Sequence, residues 1–163
     1  MKTLFLLRHA KSSRDDLSLR DFDRPLNDRG KGDARLMGRY LSKKKISASV
    51  VVSSPAKRAR RTAEIVLEAA GLTNEISFDE RIYEASVSQL LKVISEIEST
   101  HDSALLVGHN PGFEELLIYL TDRAGRMPTA SMASIELDIN NWRDIAPRSG
   151  ELSWFITPKD LKS

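Results

Sequence analysis

The apolar run at residues 3–8, TLFLLR, breaks off on Arg8 and His9, and no other stretch constrains the fold of this chain as strongly. A run this short and this continuously apolar fits a strand covered on both faces, and it is too short for a membrane span or for the hydrophobic region of a secretion signal. Residues 49–53 (SVVVS) and 103–108 (SALLVG) have the same character. Helical patterns separate the three runs, which predicts a three-layer α/β/α domain with a mostly parallel central sheet. In open sheets of that kind ligands bind outside the carboxyl ends of the strands. The polar residues that follow the runs therefore become the candidate site: Arg8 and His9 after the first, Arg58 just beyond the second, His109 directly after the third.

The helices announce themselves by their ends. Asn27 is a cap for a helix to about Lys44, with Leu36, Met37, Tyr40 and Leu41 as its apolar stripe. Ser54 and Pro55 read as a helix start with proline in the first helical position, and Gly71 as the stop. Ser86 and Gln89 form a capping-box pattern for a helix to about Ser99, and Asn110 with Pro111 repeats the cap-plus-proline start for a helix to Leu120. The tail differs: residues 133–139 (ASIELDI) and 152–157 (LSWFIT) read as a late antiparallel pair of strands at one edge of the sheet.

With 163 residues, 40% of them hydrophobic, and no linker-like or repetitive stretch, the chain is expected to form a single domain over residues 1–163. The absence of cysteine removes disulfides, thiolate metal sites and cysteine nucleophiles, and fits a cytoplasmic protein. Lys and Arg number 25 against 23 acids, so no overall field attracts nucleic acid or membranes. The densest local charge is Lys57, Arg58, Arg60 and Arg61; all but Arg58 read as a solvated helix face. No tight metal-ligand spacing occurs, and two arginines in the candidate pocket would repel a cation, so neither metal nor cofactor is expected. His101, between Thr100 and Asp102, reads as an exposed loop residue.

If the three runs are parallel neighbours, Arg8, His9, Arg58 and His109 converge on one rim, joined by helix N-termini near Pro55 and Pro111. Such a pocket suits a dianion, phosphate above all. At this level the residues resemble the histidine phosphatase (phosphoglycerate mutase-like) superfamily. RHA at 8–10 is similar to its RHG-type motif, LNDRG at 26–30 to the helix start that follows, SSPAKRARRTA at 53–63 to its S-P-x-x-R-A-x-x-T-A segment, and VGHNPG at 107–112 to the segment with the second histidine. Order and spacing agree over roughly residues 3–140. The RHAKSS start, DRPL at 23–26 and the lack of a cap insertion resemble the small SixA-type phosphohistidine phosphatases within that superfamily.

The resemblance implies that His9 attacks phosphorus and becomes a phosphohistidine, while Arg8, Arg58 and His109 bind the non-bridging oxygens. It implies a metal-independent phosphatase for protein phosphohistidine or another phosphoramidate. Many members carry a glutamate that protonates an alkoxide leaving group, and Glu84 in ERIYEAS is the nearest candidate, without the usual Gly and Trp around it. An imidazole leaving group needs little proton donation, so phosphohistidine chemistry can proceed with no acid, or with one of Asp15, Asp16, Asp21 and Asp23. Two alternatives stand beside this reading: a phosphomonoesterase for a small metabolite with Glu84 as general acid, and an inactive phosphate-binding module. Ala10 stands where the family has glycine, which strains the loop if a positive φ is required there. Thr129, Ala130 and Ser131 are similar to the family's segment before its late strand and read equally as a turn.

Overall fold

The two faces of the first strand pack into different cores, and that division organises the molecule. In the computed structural model, which describes residues 1–162, Leu4 and Leu6 of β1 (Lys2–Arg8) join one buried cluster and Phe5 and Leu7 the other. Side chains alternate across a strand, so an unbroken apolar run is what burial on both faces requires. β1 lies inside a six-stranded sheet with β2 (Val50–Ser53), β3 (Ile76–Phe78), β4 (Ser103–Gly108), β5 (Met132–Leu137) and β6 (Gly150–Ile156). The strand order is β3-β2-β4-β1-β5-β6. β3, β2, β4 and β1 run parallel; β5 pairs antiparallel with β1, and β6 antiparallel with β5. The mostly parallel sheet with a late antiparallel edge pair is thus as expected.

Helices α1 (Asp28–Lys43) and α2 (Lys57–Ala70) supply the cluster containing Phe5 and Leu7, with Met37, Leu41 and Val66 buried in it. Helices α3 (Val87–Ser95) and α4 (Gly112–Thr121) supply the other, together with Trp142. A short α5 (Pro158–Leu161) ends the described chain. Asn27 caps α1 by accepting from the Gly30 N–H at 2.8 Å, and Ser86 and Gln89 form the expected capping box. Gly30 is dictated by closeness: a Cβ there would collide with the Lys11 carbonyl, so only glycine lets α1 start against the loop that follows β1.

Several elements differ from expectation: α5 has no counterpart in the sequence pattern, and β5 and β6 are displaced from the expected 133–139 and 152–157. β3 lacks a sequence signal because it is three residues long and mostly exposed at the sheet edge. α2 begins at Lys57, with Ala56 rather than Ser54 at the cap position, because the Ser54 hydroxyl is turned toward His109. α4 begins at Gly112, with Pro111 at its cap, because the Asn110 side chain donates to the Met127 carbonyl instead of capping. α3 stops at Ser95, where Glu96 leaves the helix to bind Arg81. No helix among the described residues is long and apolar enough to cross a membrane.

Candidate active site

Parallel register brings the ends of three strands level: Arg8 pairs with Gly108, and Ser53 with Val107. The ladder runs one step further, since the His9 N–H donates to the Gly108 carbonyl at 3.0 Å and the Ser54 N–H to the Val107 carbonyl at 2.9 Å. His9, Ser54 and His109 therefore leave the sheet side by side, and the first turn of α2 adds Arg58. The result is a cavity of about 420 Å³ lined by Arg8, His9, Arg58, Tyr83, Glu84 and His109. All five residues singled out in the sequence meet there.

The histidines are 7% and 8% exposed, with ring centroids 5.1 Å apart. His9 Nδ1 lies 2.7 Å from the Ala10 carbonyl. A carbonyl only accepts, so Nδ1 carries the proton and Nε2 keeps its lone pair in the neutral ring. Burial, reinforced by the charges of Arg58, Arg8 and Arg24 against the opposing pull of the Ala10 hydrogen bond, lowers the His9 pKa to about 4. At neutral pH His9 is thus an unprotonated imidazole. His109 is pushed down to about 3, again chiefly by burial and then by His9 and Arg58. Its Nε2 lies 2.8 Å from Ser54 Oγ, and that hydroxyl also accepts from the Ala56 N–H at 3.2 Å. A serine hydroxyl can both donate and accept, so this bond ties His109 to the start of α2 in either neutral tautomer.

A further chain of bonds fixes His9 from behind. Thr62 Oγ1 accepts from the Ala10 N–H at 2.9 Å and donates to the Arg58 carbonyl at 2.7 Å. One threonine in the first turns of α2 thereby ties the His9 loop to the backbone of Arg58. Ala10 is fully buried and does not take a positive φ; the concern over a missing glycine does not apply. The left-handed residues near the site are Glu84 (φ 54°) and Ala130 (φ 60°). The Ala130 N–H is shared between the Arg8 and His9 carbonyls at 3.1 and 3.0 Å, so the turn before β5 braces the loop after β1.

Asp21 is the acid that reaches this cavity from the 14–24 loop. Its carboxylate accepts from Tyr83 Oη at 2.6 Å, Arg58 Nη2 at 2.9 Å and Arg24 Nη2 at 3.0 Å. The Tyr83 hydrogen bond, followed by those of Arg58 and Arg24, holds its pKa well below the usual carboxylate range against a smaller cost of burial. Asp21 is consequently an anion and no proton donor in this geometry. Asp15 and Asp16 stay exposed, Asp16 bonded to Ser18, and Asp23 pairs with Arg20. Glu84 lines the cavity as an exposed carboxylate. Arg8 Nε, Arg58 Nε, His109 Nδ1 and Asn110 Oδ1 are buried without a hydrogen-bond partner among the described residues. Buried polar groups are ordinarily satisfied; Arg8, Arg58, His109 and Asn110 all line this one cavity, and the guanidinium groups of Arg8 and Arg58 suit an anion.

The sequence profile of the histidine phosphatase superfamily (branch 1) matches residues 4–116, a span that contains Arg8, His9, Arg58, Glu84 and His109. The chain belongs to that superfamily. It is accordingly a phosphatase with a histidine nucleophile. It is 31% identical to an uncharacterized chloroplastic protein of Arabidopsis thaliana over 94% of this chain and 74% of the relative. It is 26% identical to the phosphohistidine phosphatase SixA of Escherichia coli (strain K12) over 98% and 96%. The structure of the protein histidine phosphatase SixA complexed with tungstate shares its fold, with a TM-score of 0.85 at 24% identity, covering 98% of this chain and 99% of the other.

In this histidine phosphatase Thr62 and Tyr83 carry contacts that the sequence pattern does not single out, while Ser54, expected only as a helix start, bonds His109, and Asp21, expected only as a possible acid, instead binds Arg58 and Tyr83. Ser54 and Thr62 lie inside the SSPAKRARRTA segment, where a signal existed. Tyr83 and Asp21 are 62 positions apart with no local pattern to join them. His101 is also placed differently from expectation. It is half-buried at the far end of β4, with Nδ1 2.6 Å from Ser49 Oγ and its carbonyl accepting from Trp142 Nε1 at 2.8 Å, a purely structural position. No group of three or more His, Asp or Glu side chains among the described residues is arranged to hold a metal ion.

Proposed function

We propose that the protein hydrolyses phosphohistidine, with His9 as the nucleophile. The observation that carries this reading is the bond from His9 Nδ1 to the Ala10 carbonyl, which leaves a neutral Nε2 beside two arginines. His9 Nε2 attacks phosphorus in line, the N–P bond of the substrate breaks, and the substrate imidazole departs with a proton taken from solvent. Water then attacks the phosphorus on His9 Nε2, gives up its proton, and releases inorganic phosphate and neutral His9. Arg8, Arg58 and His109, which line the cavity beside His9, bind the non-bridging oxygens, since positioning and electrostatics dominate phosphoryl transfer. Asp21 orients Arg58. Asp21, the carboxylate bonded to Arg58, is held as an anion and donates no proton, which favours a leaving group that needs none, and imidazole is one. The similarity to SixA supports the same substrate class.

Incubation with phosphoramidate, an alkaline quench and peptide mass spectrometry test this directly. An acid-labile phosphate on His9, absent from His9→Ala, is the expected result, together with faster turnover of a phosphohistidine peptide than of alkyl phosphates. Glu84 on the cavity wall favours a second reading, hydrolysis of a small phosphate ester with Glu84 as acid; faster turnover of alkyl phosphates than of the phosphohistidine peptide would establish it.

A further inference from the structure

The phosphate cavity has a larger neighbour. A cleft of about 590 Å³ opens between the 22–26 segment, the first turn of α1 and the start of α2. Phe22 connects the two: it lines the cleft while its ring meets Tyr83 of the phosphate cavity edge-on at 5.2 Å. Lys31, Lys57, Arg60 and Arg61 edge this cleft against two acids, Asp23 and Glu64. Both acids are already neutralised, Asp23 by Arg20 at 3.0 Å and Glu64 by Arg60 and Arg61 at 3.6 and 3.5 Å. Lys31 and Lys57 have no ion-pair partner among the described residues. Phe22 and Leu26 give the cleft an apolar component.

From this arrangement we infer that the cleft is a docking site for an acidic segment of the phosphorylated protein substrate, held beside the cavity that takes its phosphohistidine. The inference rests on the phosphohistidine reading above. A small phosphoramidate fills the catalytic cavity alone and gains nothing from the cleft, whereas a protein chain with Asp or Glu near its phosphohistidine crosses Phe22 and places those carboxylates against Lys31 and Lys57. The basic run at 57–61 then has a use beyond solvation: Arg58 faces the phosphate and Lys57 the partner.

The test compares wild type with a Lys31→Gln/Lys57→Gln variant, whose two positions line the cleft and not the catalytic cavity. The substrates are phosphoramidate and two peptides phosphorylated on one histidine, one flanked by glutamates and one by glutamines. For wild type the acidic peptide is expected to have a KM about five- to tenfold lower than the neutral one, a difference that shrinks at high salt and disappears in the variant, with phosphoramidate turnover within twofold. Equal KM values for the two peptides in wild type, or a preference that survives the double substitution, would overturn the docking site. Fluorescence anisotropy with the unphosphorylated acidic peptide reads the cleft without turnover: binding lost in the variant supports it, and indistinguishable binding to both proteins overturns it even if no phosphohistidine is hydrolysed. Failure of the phosphohistidine reading shows separately, as absence of hydrolysis of either peptide.

Discussion

Arg58 and Asp21 meet twice: Arg58 Nη1 donates to the Asp21 carbonyl at 2.7 Å, and Nη2 to its carboxylate at 2.9 Å. The bidentate grip fixes a guanidinium that is only 6% exposed, and the same carboxylate subtracts one charge from a cavity meant for a dianion. Position and charge oppose each other here. Asp21→Asn keeps the carbonyl contact and the side-chain shape while removing the charge. Inorganic phosphate is expected to inhibit this variant several-fold more tightly, a gain of about 1 kcal/mol for one unit charge near the surface. Competitive inhibition at fixed ionic strength measures it, and weaker inhibition would mean that holding Arg58 in place outweighs the charge.

Thr62 acts on His9 through Ala10. Thr62→Val keeps the volume but deprives the Ala10 N–H of its acceptor, and an unsatisfied buried donor costs about 1–3 kcal/mol. Because the Ala10 carbonyl is what orients His9, kcat/KM is expected to fall by about tenfold, on the order of 1.4 kcal/mol. Denaturant titration and steady-state kinetics read the two effects, and Thr62→Ser should restore both.

The legible parts of this protein are those where one physical demand acts on consecutive residues. Leu4 to Leu7 must be apolar on both faces, so β1 is plain in the sequence, as is the Asn27 cap with its Gly30 N–H. Arg8, His9, Arg58 and His109 could be grouped because each follows a readable strand. β3 was hidden because a three-residue edge strand has no period to detect. The Asp21, Arg58 and Tyr83 cluster was hidden because its members come from three separate segments, and only the folded chain sets them within hydrogen-bond reach.

Glu84 discriminates between substrate classes. It is exposed on the cavity wall. An alkoxide needs a proton that imidazole does not, and general acid catalysis is worth about 10²- to 10⁴-fold. Glu84→Gln is therefore expected to leave phosphohistidine hydrolysis within twofold and to lower residual alkyl phosphate hydrolysis by at least about 100-fold. Equal losses on both substrates would assign Glu84 to binding rather than to protonation.

Acid should unfold the protein through the same two histidines that make the cavity. Burial, the leading cause for each, lowers His9 to about 4 and His109 to about 3, while an unfolded histidine titrates at about 6.5. Above that pH both states are neutral and the pair adds no slope. As pH falls from there toward the folded values, the unfolded chain binds protons that the folded chain refuses. Stability then drops by about 1.4 kcal/mol per pH unit for each histidine. His9→Ala removes one of these contributions. Urea unfolding at pH 7.5 and pH 5 is expected to show wild type losing about 2 kcal/mol more than the variant over that interval. Equal losses would put the folded His9 pKa near its ordinary value, and the imidazole would then be partly protonated, without its nucleophilic lone pair, at the pH where the enzyme is proposed to work. Saturating phosphate should reduce the slope in wild type, because a dianion beside His109 raises the folded pKa and lets the native state take up the proton as well.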